Sequence, residues 1–174
     1  MKKTSILLFG IIAIVAASCL GSLIPGNSTL SFTLDGTTYA DDKASIARVF
    51  GATTVLGDTT TAQVSVPDEA SGKTMNLTLI FGGNDGTFDV TSGVTGLNLA
   101  PNRMSMEIFE GGLGADSSNN FDAVDVTLMV SNWTEDEDGK VTFDATFSGT
   151  MLHEETGENV SVSSGVLEIA KVRE

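Results

Sequence analysis

The sequence predicts an all-β protein, an antiparallel β-sandwich preceded by a cleaved signal segment. From Leu30 onward, apolar and polar residues alternate with period two, which is typical of half-buried strands. Turn-forming residues interrupt this alternation about every 8 to 12 positions, a spacing typical of sandwiches and barrels. No window of the chain carries apolar residues at convincing helical spacing. A lipocalin-like β-barrel is the alternative, because the same alternation fits a closed sheet around an apolar ligand.

The composition excludes several classes of protein and of partner. A chain of 174 residues is long enough for one domain with a sizeable core. Its single Cys excludes a disulfide scaffold. The formal net charge of −14 would repel nucleic acid and anionic headgroups at long range, so we expect no nucleic-acid partner. The single His leaves one candidate at most for His-centred acid–base chemistry.

The first 18 residues have the layout of a secretory signal. Lys2 and Lys3 are followed by an uncharged, largely aliphatic run over residues 6–17, and small residues then precede Cys19. As a helix, that run would be about 18 Å long, whereas the hydrocarbon core of a bilayer is about 30 Å thick. Extended to Ile24, the uncharged stretch is long enough for a transmembrane anchor. We favour cleavage, because Ser18, Gly21 and Ser22 dilute the second half.

Ala16-Ala17-Ser18-Cys19 resembles the lipobox of bacterial lipoproteins, with Ala16 where Leu is usual. The resemblance implies that the Cys19 thiol receives a diacylglycerol and becomes the mature first residue. Two or three acyl chains hold a protein stably on a membrane. Cleavage would remove two Lys and no acid, leaving seven basic and 23 acidic residues, a net charge of −16.

The sequence therefore divides into three segments. Residues 1–18 are the predicted signal peptide, residues 19–29 a lipid-anchored flexible tether rich in Gly, Ser, Pro and Asn, and residues 30–174 a single antiparallel β domain. The predicted strands of that domain are 30–34, 37–40, 44–50, 61–66, 74–81, 87–90, 103–109, 122–133, 141–152 and 160–172. The predicted turns include Asp35-Gly36, Gly57-Asp58, Pro67-Asp68, Gly82 to Gly86, Gly111-Gly112, Asp138-Gly139 and Gly157.

One hairpin can be predicted residue by residue. If Glu135 pairs with Lys140 across the loop 136–139, then Val130, Leu128, Val126 and Val124 lie opposite Ala145, Phe147, Gly149 and Met151. All eight are apolar or Gly, so this face packs on the core. Trp133, Ser131, Met129, Thr127 and Asp125 then lie on the outer face, opposite Thr142, Asp144, Thr146, Ser148 and Thr150. A slip by one residue would bury Asp144 and Thr146. In the last strand, Ser163-Ser164-Gly165 interrupts the alternation and predicts a bulge.

Short motifs are similar to a broad group of small, uncharacterised lipoproteins of Bacteroidota. They are the lipobox, residues 32–37 (FTLDGT), residues 147–150 (FSGT), residues 157–160 (GENV) and Ser164-Gly165. The resemblance implies an antiparallel β fold in the cell envelope and transfers no active residue. Leu20, where lipoproteins retained at the inner membrane carry Asp, implies the outer membrane. Because residues 20–23 contain no acid, the resemblance favours the periplasmic face over the cell surface.

Chemical motifs are few, and each has a plain structural alternative. His153 beside Glu154 and Glu155 is a poor transition-metal site without a second His or Cys, and is predicted to be a solvated hairpin tip. Two acidic groups could bind Ca²⁺ or be ordinary polar loops: Glu135 to Asp138, and Asp116, Asn119, Asn120 and Asp122. The first group fails the EF-hand template, because Ala145 falls where a bidentate Glu belongs.

Three further features have two interpretations each. Trp133 could stack on a sugar or a partner, or could cap the end of the sheet. Gly82 to Gly86 resembles a phosphate loop but no Lys follows it, so a hairpin turn is predicted. Asp58-Thr59-Thr60 resembles the O-glycan acceptor motif of exported Bacteroidota proteins, with Thr59 as acceptor.

No nucleophile–base pair is recognisable, since nothing marks a particular Ser as the partner of His153. We therefore expect no enzyme activity and no cofactor. The predicted function is a lipid-anchored binding or structural module with an unknown protein or glycan partner, and the alternative is a lipocalin-like carrier of a small apolar ligand.

Overall fold

The computed structural model describes residues 23–24, 28–44, 46–54, 57–68, 72–91, 94–95, 98–99, 102–110, 118–137 and 141–169. The predicted signal segment and Cys19 lie outside these residues. The described chain is all-β and antiparallel and contains no helix, as the period-two alternation predicts.

The described residues form thirteen strands, which are numbered here in chain order. They are β1 (Leu23–Ile24), β2 (Ser28–Leu34), β3 (Thr37–Ala44), β4 (Ile46–Thr54), β5 (Gly57–Asp68), β6 (Lys73–Gly82), β7 (Gly86–Val90), β8 (Val94–Thr95), β9 (Asn98–Leu99), β10 (Arg103–Glu110), β11 (Ser118–Glu135), β12 (Val141–His153) and β13 (Asn159–Ile169). Each of the ten predicted strands overlaps one of these. The two-residue strands β1, β8 and β9 are not predicted by the alternation.

Eleven strands belong to one continuous antiparallel sheet. Its order is β1-β4-β5-β6-β10-β11-β12-β13-β2-β3, and β7 pairs with β11 outside this path. The long strand β11 pairs with β12 along one edge. Its other edge pairs first with β10, over Ser118 to Asp122, and then with β7, over Val126 to Val130. Strands β8 and β9 form a separate two-stranded ladder.

The sheet curls into a half-barrel, so that strands distant along the ladder face each other. Strand β3 lies close to β5, and the rings of Phe81 on β6 and Phe143 on β12 meet edge to face at 5.3 Å. Phe32 on β2 packs against Phe147 on β12, with ring centroids 6.3 Å apart. Such aromatic contacts contribute about 0.5–1.5 kcal/mol beyond the area they bury.

The concave side of the sheet holds one apolar core. Inward-facing positions alternate with exposed ones along β2, β5, β6 and β10 to β13, as the period of two requires. Its fully buried large side chains include Phe32, Phe81, Phe143, Leu30, Met75, Leu77, Leu79, Met104, Leu128, Met151 and Leu167. Burying a side chain of this size contributes about 1.5–3 kcal/mol, so this face accounts for most of the favourable energy of folding.

Turns at several predicted positions are present. Asp35 and Gly36 join β2 to β3 with positive φ values of 47° and 78°, as a two-residue hairpin of the primed type requires. Residues 83–85 and 154–156 form the bends after β6 and β12. Two predicted turns are wrong, since Gly57-Asp58 and Pro67-Asp68 are the first and last residues of β5. The predicted turns at Gly111-Gly112 and Asp138-Gly139 lie outside the described residues.

The predicted β11–β12 register is confirmed over the middle of the hairpin. Asp125 pairs with Thr150, and the pairing continues without a break to Ser131 and Asp144. Val126, Leu128 and Val130 face the core as predicted. The predicted pairs at both ends are wrong, because two bulges in β11 shift the register there.

The first bulge inserts Val124, so that Ala123 and not Val124 pairs with Met151. Val124 is consequently 39% exposed. The second bulge lies at Asn132, whose φ is 57°. It sets Thr134 opposite Thr142, and Glu135 then pairs with Val141 instead of Lys140. Because of the extra residue, the side chains after the bulge lie on the opposite face of the sheet from the one that strict alternation predicts.

The third bulge was predicted from the sequence and is confirmed. The registers of β13 with β12 and with β2 both shift near Ser164, which has a φ of 51°. Gly165, next to it, pairs with Phe147, and a Cβ on Gly165 would lie 2.3 Å from that ring. The phenyl ring therefore covers the space that a side chain at position 165 would need.

Part of the predicted tether is paired with the domain. Leu23 and Ile24 pair with Arg48 and Ala47 at the start of β4, and β2 already begins at Ser28, two residues before the predicted start of the domain. The pairing leaves residues 20–22 between Cys19 and β1.

Candidate functional site

A polar groove of about 250 Å³ lies on the outer face of the sheet across β6, β10 and β11. Polar side chains supply most of its lining: Asn76, Thr78, Ser105, Glu107, Asn120, Asp122 and Glu154. Met106 and Phe121 also border it, although both are buried with the core. The groove is therefore lined mainly by hydrogen-bonding side chains that converge from three strands and one turn.

Strand register brings these side chains together. Thr78 pairs with Ser105, which pairs with Asp122, and this forms one row across three strands. The adjacent outward row consists of Asn76, Glu107 and Asn120. Residues two apart on a strand share a face, so the two rows border the same stretch of outer surface. Of these six residues, Asn120 and Asp122 belong to an acidic group that is recognisable in the sequence, and the other four belong to no local motif.

The turn after β12 closes one side of the groove. The Glu154 backbone N–H donates to the Asn120 carbonyl at 2.9 Å. This bond holds the Glu154 side chain beside Asp122, and the two carboxyl groups then border one cavity. Burial raises the pKa of Asp122 above its ordinary value of 3.8. The negative charge of Glu154 and a side-chain hydrogen bond with it raise the pKa further.

His153 anchors the same turn and is not the solvated tip that the sequence predicts. Its ring packs edge to face on Phe121 at 4.8 Å, and the side chain is half-buried. The Thr156 backbone N–H donates to Nδ1 at 3.2 Å. Because Nδ1 accepts this hydrogen bond, the ring N–H is on Nε2, which donates to Asn119 Oδ1 at 3.3 Å. His153 thus joins the turn to β11.

The groove offers mainly acceptor oxygens to a ligand. Three carboxyl groups line it together with two amides and two hydroxyls, and no Lys or Arg is among the lining residues. The Oδ1 acceptor of one of these two amides, Asn76, is buried without a hydrogen-bond partner. Buried acceptors normally have a partner, so donor-rich groups suit this surface, whereas anionic groups would be repelled.

The two acidic groups that could bind Ca²⁺ or be ordinary polar loops form no metal site among the residues that the structure describes. Among those residues, no group of three or more His, Cys, Asp or Glu side chains could hold a metal ion. Asn119 contacts His153, while Asn120 and Asp122 line the groove. Asp116 and Asp138 lie outside the described residues.

Trp133 does not lie on the outer face, because the bulge at Asn132 turns it inward. Its ring is half-buried and packs against the core. The indole N–H donates to Thr60 Oγ1 at 3.1 Å, and the Trp133 backbone N–H donates to Asp85 Oδ1 at 2.7 Å. Of the two interpretations from sequence, the ring that caps the end of the sheet is confirmed.

The turn at Gly82 to Gly86 and the motif that contains Thr59 lie beside Trp133. Residues 83–85 form the predicted turn between β6 and β7. Asn102 spans this turn: its Oδ1 accepts from Gly82 N at 3.0 Å and its Nδ2 donates to Asp89 O at 3.2 Å. Thr59 is half-buried within β5, and its modification stays a prediction.

Comparisons of the chain with protein-family models, curated proteins and solved structures find no significant match. Within the described ranges, no helix is long and apolar enough to cross a membrane.

Proposed function

We propose that this chain is a lipid-anchored protein of the cell envelope whose β domain is a non-enzymatic binding module. The observation that carries the binding function is the outer groove of about 250 Å³, because it gathers seven polar side chains from three strands and one turn. Residues on neighbouring strands of a well-packed sheet are held in fixed relative positions, and that preorganisation lowers the entropy cost of binding.

The ligand we propose is neutral or cationic and rich in N–H or O–H donors. Glu107, Asp122 and Glu154 disfavour a phosphate or carboxylate at this surface. The pKa of Asp122 is raised first by burial and then by the negative charge of Glu154 beside it, so an anionic ligand would add to an unfavourable concentration of charge. A sugar or a basic side chain of a partner protein carries the donors that these acceptors lack.

The curl of the sheet favours the alternative function, a lipocalin-like carrier of an apolar ligand. Such a carrier needs an interior chamber. The buried apolar side chains of the described residues are only 0% to 8% exposed, which indicates that they pack against one another. The outer groove is therefore the preferred binding surface.

The absence of enzyme activity is part of the proposal. The single His of the chain is held by Asn119, Thr156 and Phe121 within the turn. A general base needs a ring nitrogen within hydrogen-bond reach of a substrate, and both nitrogens of His153 already have partners.

The envelope location rests on the lipobox. We propose acylation of Cys19 and residence at the outer membrane, with the periplasmic face favoured over the cell surface. Metabolic labelling with palmitate tests the anchor. The wild-type protein should carry label, and Cys19→Ala should carry none. A mature protein that keeps Lys2 and Lys3 would contradict cleavage.

Capture from solubilised envelope extract tests the groove. Ser105→Trp fills its centre, and Ser148→Trp is the matched control at an exposed position on the outer face of β12. Wild type and Ser148→Trp should retain a species, identified by mass spectrometry, that Ser105→Trp loses. Equal capture by both variants would contradict the groove as the binding surface.

A further inference from the structure

The short connection between Cys19 and β1 limits how the domain can stand on a membrane. Leu23 is paired with Arg48 at the edge of the sheet and lies four residues after Cys19. A fully extended chain spans at most about 3.6 Å per residue, so the two Cα atoms are at most about 14 Å apart. If Cys19 is acylated, as proposed above, the β1 edge stays close to the headgroups.

The register extends this limit to neighbouring strands. Cross-strand pairing aligns Leu23 with Arg48, Gln63, Thr78 and Ser105 in one row across five strands. Strands lie about 4.8 Å apart, so Gln63 is about 10 Å from Leu23 and Ser105 about 19 Å from it. The centre of the groove is therefore held within roughly 35 Å of the acylated sulfur.

The distribution of charge also favours placing the edge formed by β1 and β4 next to the membrane. The β1–β4 edge consists of residues 23–24 and 46–54, which contain one basic residue, Arg48, and no acidic one, a net charge of +1. The rest of the mature chain contains six basic and 23 acidic residues, a net charge of −17. An anionic bilayer therefore repels this edge least, because the repulsion grows with local net charge.

We propose that the acylated protein stands on the bilayer by the β1–β4 edge of its sheet, with lipid headgroups as the partner of that edge. This orientation rests on the proposed anchor. It places the outer groove beside the membrane surface, so a ligand presented at headgroup level can reach it without detachment of the domain.

Fluorescence quenching on vesicles tests the orientation. Once Cys19 is acylated, an introduced Cys is the single free thiol of the chain and can carry a dye. Gln63→Cys labels the row that leads from β1. Ser131→Cys is the matched control. Ser131 is exposed on β11 and lies about 30 Å along that strand from Asp122, the residue that pairs with Ser105 at the end of the row. The vesicles contain phosphatidylethanolamine and phosphatidylglycerol with a nitroxide-headgroup lipid as quencher.

Quenching should be several-fold stronger at Gln63→Cys than at Ser131→Cys. A long Gly/Ser spacer inserted between Cys19 and Leu23 should reduce this contrast, because a flexible linker frees the orientation. Equal quenching at the two positions, or the reverse order, would overturn the orientation while leaving the anchor intact. Acylated protein that fails to float with the vesicles would overturn the anchor itself.

Discussion

Replacing Thr60 by Val should destabilise the domain through the contacts of a single hydroxyl. Thr60 is 2% exposed. Its Oγ1 accepts from Trp133 Nε1 and donates to the Gly83 carbonyl, both at 3.1 Å. Val has nearly the same shape, so the substitution removes two hydrogen bonds and leaves no cavity. Trp133 and Gly83 then each keep one polar group without its partner.

The expected loss follows from these two bonds. A neutral hydrogen bond contributes about 1 kcal/mol net, so the free energy of unfolding should fall by about 2 kcal/mol. At an m-value of about 2 kcal/mol/M, the urea midpoint should fall by about 1 M. Trp133 is the single Trp of the chain, so its fluorescence reports unfolding from beside the perturbed site.

Two controls isolate the hydroxyl. Thr127→Val makes the same change at an exposed position of β11 and should alter stability by less than about 0.5 kcal/mol. A double-mutant cycle with Trp133→Phe, followed by circular dichroism, should give a coupling of about 1 kcal/mol. A wild-type urea midpoint for Thr60→Val, or a coupling free energy of zero between Thr60 and Trp133, would contradict this prediction.

Three further predictions concern a glycine, an amide and a carboxyl. Gly149→Ala should cost about 3 kcal/mol in urea unfolding, because φ is 153° and the new Cβ would lie 2.1 Å from the Asp125 carbonyl oxygen; a wild-type midpoint would contradict this. Asn102→Ala should lower thermal stability by about 2 kcal/mol through two lost hydrogen bonds, and Asn102→Asp should recover only the accepting one. The raised pKa of Asp122 means that the folded state binds the proton more tightly, so stability falls as pH rises above about 3.8. Asp122→Asn should therefore raise the urea midpoint at pH 7 more than at pH 3, and an equal change at both would contradict a raised pKa of Asp122 in the folded state.

Most of the candidate groove could not be predicted from the sequence. Thr78, Ser105 and Asp122 are ordinary polar positions on three alternating strands, separated by 27 and 17 residues. The register of β6, β10 and β11 is what places them side by side. No spacing rule links residues so far apart, because each pairing is chosen by the packing of the whole sheet.

The errors at Trp133 and Val124 share a cause. Alternation alone extrapolates one register to the ends of the hairpin, and it succeeds from Asp125 to Ser131. Beyond that stretch, each end contains a bulge. At the second bulge Asn132 adopts a positive φ, and the Trp133 side chain can then form its hydrogen bond with Thr60 on β5. An Asn at that position was a local hint, since Asn tolerates the left-handed region better than most residues.

By itself, the sequence determined the antiparallel all-β class, the longer strands and, away from the bulges of β11, the faces that they bury, because a side-chain period of two is a property of local backbone geometry. The tertiary structure decided the strand order, the bulges and the outer groove. Those depend on contacts between residues tens of positions apart, and the chain selects among them only when the sheet packs as a whole.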